Sequence, residues 1–268
     1  MHQMPKTAQY HINCKRGDLA EYLLVPGDPE RVPKIARHWS QAREVSSHRE
    51  FRSFMGVYMG VKVSAISSGI GPGAMSIVVN EAADIGVRTF IRVGSCGSLR
   101  GEIKCGDLII SSAAVRLDGA SDCYVMPEYP AVADYEVLLA LIEAAESIGV
   151  RYHVGVTATA SDFYAGQTRV AGKEFHSSRC SNLIPTLREM GVLGCEMETA
   201  TLFVLCSLFG LKAGAVHAVY ANRVTNEVKP YAGEDDCIRV ANTAIKILDS
   251  WNKRKKAKNK ELLFPSLL

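Results

Sequence analysis

The chain has 268 residues, 47% hydrophobic and 22% charged, an ordinary globular composition with enough apolar mass for one sizeable core or two small ones. No stretch approaches a membrane span, and the first residues, Met1-His2-Gln3-Met4-Pro5-Lys6, are polar and lack the apolar core of a secretion signal, so a cytoplasmic protein is expected. The formal charge of +3 sits at the end of the chain: residues 253–260 hold six of the 31 basic side chains, and up to Asn252 there are 25 basic against 27 acidic residues, which argues against nucleic-acid binding. Eight cysteines without a Cys-x-x-Cys pair suggest neither a zinc ribbon nor a disulfide framework, and we read them as reduced and mostly packed.

Short β-rich runs alternate with helical patterns through the chain, which predicts an α/β fold with helices on both faces of a sheet. Strands are expected at 22–25, 61–67, 89–93, 108–111, 153–159 and 213–221, and helices at 30–37, 74–85, 135–148, 198–208 and 237–251. In 135–148, Leu138, Leu139, Leu141, Ile142 and Ala145 make a stripe at helical spacing that Gly149 ends. No repeat and no linker interrupts the alternation, so 1–252 reads as one domain. Residues 253–268 read as a basic and then apolar tail. Its basic run is expected to be solvated and frayed, and its apolar end to dock on the body or on a neighbour. Residues 172–187 are polar and aperiodic, the pattern of a surface excursion beside a binding site.

Leu23-Leu24-Val25-Pro26-Gly27-Asp28-Pro29-Glu30-Arg31 reads as a buried strand, a tight turn and a helix begun at proline. The Gly27 N–H and Arg31 could hold an anion at that helix start, although an ordinary β-to-α turn with a surface arginine explains the same residues. Gly69-Ile70-Gly71-Pro72-Gly73-Ala74 follows a strand and opens a helix, the context of the dinucleotide pattern G-x-G-x-x-G/A. A nicotinamide-dependent oxidoreductase is therefore one competing class. It needs an acidic residue at the end of the next strand, and 89–93 carries Arg92 there instead, which suits only a phosphorylated cofactor.

Arg92 stands in an apolar strand, where a guanidinium needs an anionic partner. With Gly94-Ser95-Cys96-Gly97 read as a glycine-rich turn, Arg92, backbone N–H groups and the Ser95 hydroxyl make a seat for phosphate. A salt bridge within the protein is the alternative. Phe163-Tyr164-Ala165-Gly166-Gln167-Thr168-Arg169 offers an aromatic face, an amide and a guanidinium, the set a flat heterocycle with carbonyls and an N–H requires, though a plain loop can contain it too. Cys195-Glu196-Met197-Glu198 places two carboxylates at the head of an apolar helix. One is expected to answer the helix dipole alone and the other to bind sugar hydroxyls.

In chain order, Pro26-Gly27-Asp28-Pro29 with Arg31, Ser47-His48-Arg49-Glu50-Phe51, Arg92 to Gly97, Val115-Arg116-Leu117-Asp118-Gly119-Ala120-Ser121, Phe163 to Arg169, Glu196-Met197-Glu198 and Asn222-Arg223 resemble the nucleoside phosphorylase family of the hexameric type. The resemblance covers about residues 10–251. It implies a single-domain three-layer α/β/α sandwich with a mixed central β-sheet, and reversible phosphorolysis of uridine to uracil and ribose 1-phosphate. Inorganic phosphate is then the co-substrate, with no cofactor and no metal. The same resemblance puts phosphate at Gly27, Arg31, Arg92 and Ser95, with Arg49 lent by a neighbouring subunit. Ribose falls at Met197 and Glu198, with the 5′-hydroxyl at a neighbour's His11, and the base at Phe163, Gln167 and Arg169 with Arg223 nearby. Arg92, Glu198, Gln167 and Arg169 make the implied catalytic set. A homohexamer, a trimer of dimers with sites shared across the dimer interface, is implied, with no nucleic-acid or membrane partner.

Purine-specific members place an aspartate where this chain has Asn222-Arg223, so its absence together with Gln167 and Arg169 favours uracil. Ala74 replaces a serine that helps some members hold a monovalent cation, so the resemblance does not carry that ion over to this chain. A purine nucleoside phosphorylase, a nucleosidase that uses water and an inactive nucleoside-binding protein remain the rival readings on the same scaffold.

Overall fold

The computed structural model describes residues 7–178 and 181–267, so the polar start read at residues 1–6 and the thiol of Cys180 lie outside the described residues. In chain order the elements are β1 (Tyr22–Val25), α1 (Arg31–Ala36), β2 (Ser40–His48), β3 (Phe51–Tyr58), β4 (Val61–Ile66), α2 (Pro72–Asp84), β5 (Thr89–Ser98), β6 (Leu108–Leu117), β7 (Ala131–Val132), α3 (Tyr135–Ile148), β8 (Tyr152–Ala160), α4 (Leu183–Glu189), β9 (Gly194–Glu196), α5 (Thr199–Leu208), β10 (Lys212–Asn222), β11 (Glu227–Val228) and α6 (Glu234–Ala257).

The strands form one mixed sheet in the order β11-β10-β6-β8-β9-β5-β1-β4-β3-β2, with β7 on β6. β10 also pairs in parallel with β5, so β5, β10, β6, β8 and β9 close into a ring at one end of the sheet. Alternation along the strands divides the side chains between two layers. Leu24, Val63, Ile91, Val93 and Val216 pack against α1, α3 and α6, whereas Leu23, Val25, Ile66, Phe90 and Ala215 pack against α2 and α5. Helix α5 is buried from Thr199 to Cys206, which is why its sequence is apolar all round.

Helix α3 has the bounds expected from its stripe. Asp134 caps it by accepting from the Glu136 and Val137 N–H groups at 3.0 and 3.1 Å. Two expectations are corrected. Strand β5 does not end at Val93: it runs to Ser98, and the glycine-rich segment is strand paired with β10 rather than a turn. The apolar periodicity stops at Val93 because Gly94 and Gly97 yield their side-chain space to His217 and Arg223 of the neighbouring strand and loop. Within the polar stretch 172–187, helix α4 begins at Leu183 and buries Ile184 and Leu187.

Helix α6 continues past Asn252 to Ala257, so the basic run is helical as far as Ala257 and the boundary expected at 252 falls inside an element. Lys255 is buried and reaches both oxygens of Glu136 at 2.7 and 2.6 Å. Glu136 also accepts from Lys212, and from the Leu263 N–H at 3.2 Å. Leu263 and Leu267 are buried, so the apolar end docks on the body of its own chain. Among the described residues no helix is long and apolar enough to cross a membrane.

Burial works to raise the Glu136 carboxyl, and bonds from Lys212 and Lys255 outweigh it and hold the group below its ordinary value. Glu136→Gln is expected to cost about 3 kcal/mol, the lower end for breaking a buried pair, because Lys212 is partly exposed. The contribution is present above the ordinary carboxylate value of about 4.3 and is lost as pH falls through the depressed folded value. Thermal unfolding over this range should therefore show the gap between wild type and variant closing as the solution is acidified.

Candidate active site

A cavity of about 820 Å³ opens where β1, β5, β9 and β10 end. That volume suits a small molecule of nucleoside size. Gly27, Arg31, Arg92, Ser95, Phe163, Gln167, Arg169, Met197 and Glu198, from four separate stretches of sequence, all line it.

Arg92 and Glu198 meet at its floor. Both are buried, at 4% and 3% exposure, and an Arg92 Nη donates to Glu198 Oε2. The other Nη donates to the Val25 carbonyl at 3.3 Å and to Ser68 Oγ at 3.4 Å. Glu198 Oε1 accepts from the Gly71 N–H at 2.7 Å. Gly71 has φ of 103°, a backbone shape open to glycine, and this turns its N–H onto the carboxylate at the head of α2. The Gly69-to-Ala74 loop thus holds the protein's own carboxylate where a dinucleotide-binding loop would hold pyrophosphate.

Glu196 has the other role expected of the pair. It is 3% exposed, accepts from the Thr159 hydroxyl, and takes the Glu198 and Thr199 N–H groups at 2.8 Å each, satisfying the first turn of α5. Burial, with the Glu198 charge beside it, pushes its carboxyl above the ordinary value.

Arg31 is more heavily engaged than its place at a helix start suggested. Its Nε donates to Glu234 Oε2 at 2.9 Å, one Nη to the Val93 carbonyl at 3.1 Å and the other to the Tyr220 hydroxyl at 3.0 Å. Tyr220 donates to Glu234 Oε2 at 2.7 Å, and Lys34 Nζ reaches Oε1 at 2.6 Å. Burial works to raise Glu234, and the bonds from Lys34, Tyr220 and Arg31 hold it low and ionised. Each Arg31 Nη still keeps one N–H for a ligand.

At the opposite end of the cavity, Gln167 is buried and the Arg169 guanidinium lies 4.3 Å from the centre of the Phe163 ring. Among the described residues Arg169 Nε and an Arg223 Nη have no protein partner, and burial together with the neighbouring Arg169 charge presses Arg223 below its usual value. Two partly buried cations side by side favour a ligand carrying carbonyl oxygens or negative charge. Cys195 adds a neutral wall, its thiol pushed up to about 11 by burial. Arg223 stands just behind Gly97 rather than on the cavity wall, its Cδ 3.5 Å from where a Gly97 side chain would begin.

Besides Arg223, two more expected residues stay outside this cavity. His11 bonds Glu81 of α2 through Nδ1 at 2.6 Å, and its carbonyl lies 2.8 Å from His48 Nδ1. Arg49 is exposed in the turn between β2 and β3 with φ of 54°. Sequence reasoning missed Glu50, Tyr220 and Pro230 on the cavity wall and Glu234 behind it. A tyrosine interrupting the apolar run of β10 was the available signal for Tyr220. Among the described residues no group of three His, Cys, Asp or Glu side chains is placed to hold a metal ion.

A mixed sheet closed on itself, with an arginine and carboxylate at its open end and a cationic amide-bearing cleft opposite, is the build of a nucleoside-handling phosphorylase, and the chain belongs to the Phosphorylase superfamily, whose family model matches residues 21–250. It is 52% identical to a uridine phosphorylase of Thermococcus kodakarensis over 265 residues, covering 99% of this chain and 95% of that relative. A uridine phosphorylase of Salmonella typhimurium is 43% identical over 230 residues, 84% of this chain and 90% of the relative. A guanosine phosphorylase of Halorubrum lacusprofundi is 33% identical over 228 residues, with coverage of 85% and 89%.

Asn222 spends its whole amide on the fold. Nδ2 donates to the Arg100 and Ile103 carbonyls at 2.9 and 2.7 Å, and Oδ1 accepts from the Val224 and Thr225 N–H groups at 2.8 and 3.0 Å. Asn222→Asp sets an oxygen against two carbonyls and is expected to destabilise the protein by about 1–3 kcal/mol, read as a lower urea midpoint. A midpoint equal to that of wild type would contradict this structural role.

Proposed function

We propose that the chain catalyses reversible phosphorolysis of uridine to uracil and ribose 1-phosphate, with inorganic phosphate as co-substrate and no metal or cofactor. The observation that carries the reading is the single cavity with a buried Arg92–Glu198 pair at one end and Phe163, Gln167 and Arg169 at the other. Its spacing separates an anion and a sugar from a flat base, and the uridine phosphorylases among the relatives point to the same chemistry.

Phosphate binds the Gly27 N–H, the free Nη donors of Arg31, the Ser95 hydroxyl and Arg92. Glu198 then gives up its bond to Arg92 and accepts the ribose hydroxyls, with Met197 against the sugar. A phosphate oxygen attacks C1′ as the C1′–N1 bond breaks, and the electron pair leaves on uracil, which takes a proton from solvent. Charge grows positive on the sugar and negative on the base. Phosphate shields the first, and Arg169 with the Gln167 amide stabilises the second, with Arg223 adding positive potential from behind Gly97. Positioning and electrostatics supply the rate, and no covalent enzyme intermediate is required. The two adjoining cations suit an anionic uracil edge better than a purine, and Asn222 is committed to backbone groups, so it is not a proton donor for a leaving purine.

The reading extends to assembly. His11 and Arg49 lie away from their own chain's cavity, so a two-fold partner supplies them, and the dimers gather into a hexamer in the cytoplasm.

Uracil release from uridine is expected to require phosphate, followed by absorbance with and without it. Equal turnover in phosphate-free buffer would identify a nucleosidase instead. Arg169→Ala and Gln167→Ala should each lower uridine turnover by on the order of a hundredfold while phosphate binding holds. Inosine outperforming uridine with wild type would overturn the pyrimidine assignment. Refolding Arg49→Ala together with Glu198→Ala should regenerate sites that carry both intact residues, with activity above that of either variant alone. A fully active monomer by light scattering would rule out shared sites.

A further inference from the structure

His217, on β10, is fully buried; its Nε2 lies 3.2 Å from Thr199 Oγ1, and its Nδ1 has no partner among the described residues. The parallel register sets it beside Gly94 of β5, two residues along the same face from Arg92. A Cβ on Gly94 would stand 2.4 Å from His217 Nδ1 and 3.4 Å from Arg92 Nε, and Arg92 Nε is also without a partner among the described residues. Glycine at this position therefore leaves a notch that two buried polar atoms border.

Their chemistry is complementary. The Nε–H of an arginine can only donate, and a neutral imidazole has one nitrogen that donates and one that accepts. If Nε2–H donates to Thr199, the Nδ1 lone pair is turned to the notch. Burial, followed by the charges of Arg92 and Arg31, pushes His217 down to about 3, so the ring is neutral at any working pH. Two such groups left unsatisfied side by side would each carry a desolvation penalty that one bond between them removes.

We infer that His217 is a positioning residue for Arg92, its Nδ1 accepting the Arg92 Nε–H across the notch left by Gly94. This rests on the reading of Arg92 as a phosphate ligand. In the state with an Arg92 Nη on Glu198 the Nε bond is not made; it forms as the guanidinium turns to phosphate, and it fixes the guanidinium plane there. Because Thr199 adjoins Glu198 at the head of α5, the same imidazole ties the two halves of the Arg92–Glu198 pair to one support.

The test compares three full-length variants. An asparagine side chain places an oxygen near the position of Nδ1, whereas a glutamine reaches the position of Nε2 and leaves the notch without an acceptor. His217→Ala and His217→Gln are expected to raise the phosphate KM about tenfold while the uridine KM stays within about twofold, and His217→Asn should return most of that loss. A wild-type phosphate KM in His217→Ala would overturn the inference, as would an equal rise in both KM values that His217→Asn does not relieve. Melting temperatures check folding. Should His217→Ala not fold, equal phosphate KM values in the Asn and Gln variants would overturn it. Calorimetric phosphate binding without nucleoside separates the two claims. Uracil release by wild type in phosphate-free buffer sinks the phosphorolysis reading, whereas phosphate binding unchanged in His217→Gln sinks the role of His217.

Discussion

The buried pair between Arg92 and Glu198 is the constraint on which the rest of the site depends. Each charge is more than nine-tenths buried, and leaving either without the other or a substitute for it would carry a large desolvation cost. The architecture is arranged to keep both available. Strand β5 brings Arg92 to the cavity, the head of α5 brings Glu198, and the Gly71 N–H holds the carboxylate from a third element. A pair of this kind adds little net stability, because desolvation offsets most of the Coulomb attraction. On the proposed function its value is in exchange: an anionic substrate replaces Glu198 on the arginine, and sugar hydroxyls replace the arginine on Glu198.

Closure of the sheet gives this exchange a rigid frame. β10 lies in parallel along β5 from Lys212 to Asn222, and the register puts His217 beside Gly94 and Ala221 beside Gly97. Glycine at these places lets side chains from the neighbouring strand and loop occupy space that β5 would otherwise fill. Behind the cavity, Glu234 at the start of α6 holds Arg31 and Tyr220 together, so an element contributed by the last part of the chain sets the geometry of the turn from β1 into α1. The same helix then runs on to bury Lys255 against Glu136, which ties the C-terminal residues to the strand and helix layers that support the site.

Much of this was legible in sequence where chemistry and periodicity coincide. The apolar stripe of α3 announces its bounds, and Arg92 in an apolar strand announces a buried anion partner. Glu196 and Glu198 divide between helix capping and the site as two carboxylates at one helix head should. The remainder depends on tertiary pairing. Strand β2 is largely exposed and polar, so no alternation reveals it, and β9 is three residues long. The glycines of β5 read as a turn because their reason for being small lies on another strand. Lys255 looks like one more member of a solvated run until α3 presents Glu136 to it. His217 and Tyr220 sit in an apolar strand with nothing local to say which face they serve.

Phosphate affinity in the absence of nucleoside tests the exchange most directly, compared by calorimetry between wild type and Glu198→Gln. With the carboxylate removed, Arg92 has no internal anion to leave and phosphate meets no neighbouring negative charge, so the account predicts binding tighter by about tenfold or more in the variant. Phosphate binding equal to or weaker than that of wild type, in a variant that melts as a folded protein, would contradict it.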